Sequence, residues 1–102
     1  HTLLQANALA EQWGVPVANV FHAGDGNLHP HLMFDPAEPE QVERVRGAID
    51  AIAKLCLSVG GVLSGEHGIG LEKVESMHLQ FSEVDLQRMR KVRDVIDPAG
   101  LC

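Results

Sequence analysis

The feature that most constrains this chain is NVFHAGDGNLHPH, residues 19–31. An Asp-Gly dipeptide between apolar runs is a strong short-range hairpin signal, because glycine accepts a positive φ without steric cost. The spacing predicts a strand over 17–21, a turn over 24–27 and a returning strand over 28–34. Pro30 has no amide proton to donate, so the returning strand should be an edge or begin irregularly. The reversal also carries chemistry. His22 and His29 are seven residues apart and would face opposite sides of one straight strand. Folded back across the turn, they come together at one end of the sheet.

Two neutral imidazoles brought together in this way can bind a divalent metal. A third ligand is needed, and Glu66 in SGEHGIG (64–70) is the best candidate. Small neighbours let its backbone approach another element closely. A set of two histidines and one glutamate leaves coordination positions open for water or substrate, as catalytic sites require. His67 follows directly, so it should not share the direction of Glu66. It could instead stand beside the substrate as a base. The same spacing also fits histidines that merely pack or face solvent. Asp25 reads as a turn-former, and His1 and His78 have no supporting context.

The rest of the chain reads as helices around this hairpin. Residues 2–13 are good helix formers, with Leu9 and Trp13 four apart and Gly14 placed to close the helix. After the turn DPAEPE, Val42, Val45, Ile49, Ile52 and Cys56 make one helical stripe. The glycines of SVGGVLSG break that helix and allow a short strand over 61–64. A further helix is expected over 66–78, with His67, Leu71, Val74 and His78 on one face. Ser82 should cap a last helix with Asp85 in the capping-box position. Its buried stripe should be Leu86, Met89, Val92 and Ile96. The expected fold class is α+β, a small antiparallel sheet packed by helices.

The 102 residues allow one domain. The net charge of −6 argues against a nucleic-acid partner, and the basic run RMRKVRD (88–94) has acids around it. Two cysteines, Cys56 and Cys102, make no disulfide framework, and they point to a reducing, cytoplasmic compartment. No apolar stretch approaches the ~20 residues of a membrane span. The chain opens on His1 without a signal-like charged region, so it is expected to be a fragment or processed chain, with nothing at this end directing export.

HAGDGNLHP, GEHGIGLEK and the closing VIDPAGL together resemble the C-terminal domain of FAD-linked oxidases of the vanillyl-alcohol oxidase type. The likeness to the glycolate oxidase flavin subunit, D-lactate dehydrogenase and D-2-hydroxyglutarate dehydrogenase runs over nearly the whole chain. It implies that His22, His29 and Glu66 hold a divalent metal, often zinc, and that His67 is substrate contact and base. The position two beyond His29 touches substrate in some members as an asparagine. Here it is His31, which makes His31 a substrate contact and leaves the substrate's identity open. The FAD-binding domain of such enzymes is absent from 1–102, so the chain would be a C-terminal segment, inactive alone.

The implied chemistry is oxidation of a 2-hydroxy acid of the glycolate or D-lactate type. The acid chelates the metal through its carboxylate and hydroxyl, which makes the hydroxyl more acidic. His67 takes the proton while hydride leaves the α-carbon for FAD. Partners would be the substrate and the rest of the flavoprotein chain or other subunits, with self-association also open. Two other readings compete. One is a non-catalytic α+β interaction or dimerisation module, and the other, ranked last, is a small metal hydrolase.

Overall fold

The computed structural model describes residues 1–22 and 24–102. In chain order it has α1 (Thr2–Gln12), β1 (Val17–His22), β2 (Asn27–Leu32), α2 (Pro39–Ser58), a 3-10 turn (Val74–Ser76), α3 (Met77–Gln80) and α4 (Glu83–Ile96). This is an α+β arrangement. The hairpin is the sheet, and no helix among the described residues is long and apolar enough to cross a membrane.

Local chemistry sets most element ends. Beyond α1, the Val15 amide donates to the Ala10 carbonyl and the Gly14 amide to Glu11. Gly14 takes a φ of 67°. This is a Schellman closure, which needs a left-handed residue and therefore favours glycine. The end of α2 repeats it, with Gly61 donating to Cys56 and Gly60 to Leu57. At the start of α2, Pro39 occupies the first turn, where a missing N–H costs nothing. The incoming turn is tied by the Gln41 side chain, which accepts from the Asp35 amide and donates to Glu38. Ser82 caps α4 as expected, its hydroxyl accepting from the Asp85 amide at 3.2 Å.

The hairpin is antiparallel, with His22 opposite Asn27 and Val20 opposite His29. Met33 donates to the Pro16 carbonyl at 2.9 Å in the same register. Hydrogen-bonded pairs alternate with unbonded ones in such a ladder. The Asn19–Pro30 pair is therefore unbonded, and proline removes no bond between the strands. One face of the hairpin carries Val17, Asn19, Phe21, Leu28, Pro30 and Leu32. The other carries Ala18, Val20, His22, Asn27, His29 and His31.

The first face meets the helices. Val15, Val45 and Ala48 are buried together, with Leu32 packed against them. Ala6, Ala10 and Ile52 are also buried, and α1 lies along α2. The Asn19 side chain donates to Asn7, joining β1 to α1. Trp13 lies over Gly47, leaving no room there for a side chain. Cys56 is half-buried and unbridged, and burial pushes its thiol pKa up, consistent with inert packing.

Several expectations are corrected. β1 reaches His22, and β2 starts at Asn27 and ends at Leu32, so Met33 and Phe34 lie beyond it. Residues 61–64 form no strand; the segment is held instead by a hydrogen bond from the Leu63 amide to the Gln80 side chain. No helix spans 66–78, because Gly68 and Gly70 adopt φ values of 83° and 56°, which a right-handed helix excludes. The face predicted for His67, Leu71, Val74 and His78 does not exist, and Leu71 is 95% exposed. On α2 Val45 and Ile52 are buried as expected, but Ala48 is buried in place of Ile49, which is exposed. On α4 the expected burial is absent. Met89, Val92 and Ile96 are exposed, and the helix buries no residue among those described.

Candidate metal centre

The second face of the hairpin builds the site. His22 and His29 sit on opposite strands, offset by two residues and so on the same face, with ring centroids 5.1 Å apart. The reversal between them is tightened by Asp25, whose carboxylate accepts from the Asn27 amide at 2.9 Å, in its expected turn-forming role. The loop through Ser64, Gly65 and Glu66 then lies against this face. Glu66 Oε2 is 3.8 Å from His22 Nε2, and Oε1 is 3.6 Å from His29 Nε2.

One ligand atom from each of His22, His29 and Glu66 falls within 4.8 Å of the others. Tetrahedral donors ~2.1 Å from a zinc ion stand about 3.4 Å apart. The three therefore need only a small contraction, within side-chain reach, to share an ion. His29 Nε2 strengthens the fit. It is buried and has no hydrogen-bond partner among the described residues. A buried polar atom left unpaired costs free energy, and a metal ion would satisfy this one. Two imidazoles and a carboxylate are also a donor set suited to a first-row divalent ion.

His67 departs from its predicted direction. Its Nε2 lies 3.4 Å from Glu66 Oε1, and its ring centroid is 5.3 Å from that of His29. It thus shares the Glu66 side of the loop. Its side chain is 72% exposed, leaving it open to a small molecule. His31 is exposed and lies two residues beyond His29 on the same face. Among the described residues it makes no hydrogen bond or ion pair with the cluster.

The sequence reading missed Asn27. Its side-chain amide donates to Glu66 Oε2 at 3.3 Å. The signal was the period of two, since Asn27 precedes His29 by two residues and must share its face. An open apolar cleft of about 480 Å³ adjoins the loop, with Val62, Ile69, Met77, Phe81 and Met89 in its lining.

The family profile for FAD linked oxidases, C-terminal domain, matches residues 2–102. The chain belongs to that family. This FAD-linked oxidase C-terminal domain is 46% identical over 93 residues to the glycolate oxidase subunit GlcD of Escherichia coli (strain K12), covering 91% of this chain and 19% of the relative. It is 36% identical over 98 residues to a D-lactate dehydrogenase of Archaeoglobus fulgidus, covering 95% and 21%. It is 34% identical over 79 residues to the mitochondrial D-lactate dehydrogenase [cytochrome] of Arabidopsis thaliana, covering 78% and 14%. The domain spans about a fifth or less of the length of these relatives. No solved structure matches it.

Proposed function

We propose that this domain supplies the metal ligands and the base of a flavin-dependent oxidoreductase that oxidises a 2-hydroxy acid to the 2-oxo acid. The convergence of His22, His29 and Glu66, with His67 beside them, carries this reading. The names of the relatives, glycolate oxidase and D-lactate dehydrogenase, suggest the substrate class. When bound, a divalent ion, zinc in the first instance, supplies Lewis acidity, and FAD supplies the hydride acceptor. No residue of this domain is assigned to FAD.

The roles of the domain's own residues follow from their places. His22, His29 and Glu66 hold the ion. His67 projects into solvent beside Glu66, where it can receive the proton of a substrate hydroxyl. His31 stands further along the same face as a substrate contact. The remaining flavoprotein chain is the natural partner, and the free thiols Cys56 and Cys102 favour a reducing, cytoplasmic setting.

Elemental analysis of the purified domain tests the ligand set. Wild type should carry zinc stoichiometrically after loading and dialysis, and His22→Ala and Glu66→Ala should each lose it. Equal retention by either variant would refute the assignment. A second reading, an interaction module, is favoured by the bare apolar stripe of α4. Concentration-dependent self-association in sedimentation, with no metal bound, would support that reading instead.

A further inference from the structure

Glu66 is half-exposed and sits in a loop, so burial alone does not fix its carboxylate. Ordering a free glutamate side chain costs conformational entropy. A ligand that must be ordered at the moment of binding weakens a site. Asn27 offers a way round this. Its amide donates to Oε2, while Oε1 faces His29 and His67.

We infer that Asn27 is a positioning residue for the metal centre, holding the Glu66 carboxylate ready to ligate, and that Gly65 is required because it gives the Asn27 amide its place. The inference rests on the metal reading above. A Cβ on Gly65 would stand 2.6 Å from Asn27 Oδ1 and 2.9 Å from its Cγ, closer than van der Waals contact allows. The backbone at Gly65 has no positive φ, so alanine is conformationally permitted there. The need for glycine is therefore steric, set by one neighbour. Hydrogen-bonded partners of ligating groups typically contribute 10–100-fold to metal affinity.

The hairpin turn does not depend on the Asn27 side chain, since its bond to Asp25 comes from the Asn27 backbone amide. Asn27→Ala should thus leave the fold intact while freeing Glu66. Co²⁺ titration followed by its visible absorption is the test, with thermal unfolding of each metal-free variant as a folding control. Asn27→Ala and Gly65→Ala should each weaken Co²⁺ binding about 10–100-fold and alter the absorption envelope. In the double variant Gly65→Ala should add little, because both act through one contact. Wild-type affinity and spectrum in Asn27→Ala would overturn the inference while leaving the ligand set standing. So would additive losses in the double variant. Failure of wild type itself to take up Co²⁺ would overturn the metal reading and this inference with it.

Discussion

The two ends of this domain resolve the same problem differently. At the hairpin, side chains from three distant positions converge, and His29 Nε2 is buried. At α4, an equally regular pattern is left largely uncovered among the described residues: Val92, Val95 and Ile96 are 63%, 83% and 82% exposed. A reversal closed by a four-residue loop brings its own partners together. An amphipathic helix specifies only that a partner is wanted. The α4 stripe and the cleft lined by Met89 are left open among the described residues.

That contrast can be attacked from both sides. Ile52→Ala, in the helical core, should cost about 2–4 kcal/mol in denaturant unfolding, through lost burial and a residual cavity. Ser82→Ala removes the α4 cap and should cost about 1 kcal/mol, visible as lost helicity. Val92→Ser should stay within about 0.5 kcal/mol, the range of an unpacked surface change. A Val92→Ser penalty as large as that of Ile52→Ala would mean the stripe is buried after all.

The smallest effect is local. The Asp97 carboxylate accepts from the Cys102 and Leu101 amides at 2.8 and 3.0 Å, which hold its pKa below the usual carboxylate range. A lowered folded value means the contribution is present above the unfolded pKa of about 3.9 and is lost as pH falls through the folded value. In an NMR titration the Leu101 and Cys102 amide shifts should move only below about pH 4. Movement centred higher would contradict these hydrogen bonds.

Legibility in the sequence followed the same divide. The hairpin, the role of Asp25 and the Ser82 cap all rest on contacts within a few residues. The meeting with Glu66 is long-range; the clue to it was local, the small residues of SGEHGIG that let the backbone at Glu66 approach another element. Asn27 was overlooked as a turn residue although the strand period puts it on the His29 face. The 66–78 helix failed because apolar spacing was given more weight than Gly68 and Gly70, whose backbone conformation excludes a helix. The 61–64 segment pairs with no strand among the described residues. On α2 only Ile49 was misplaced, because Ala48, small and fully buried, carries little hydrophobic signal.

The most direct test is X-ray absorption at the zinc edge of the zinc-loaded domain. Two imidazole nitrogens and a carboxylate oxygen at about 2.0–2.2 Å are expected, with one imidazole lost in His29→Ala. A shell without imidazole scattering, or one unchanged by His29→Ala, would contradict the claim that these three side chains share one ion.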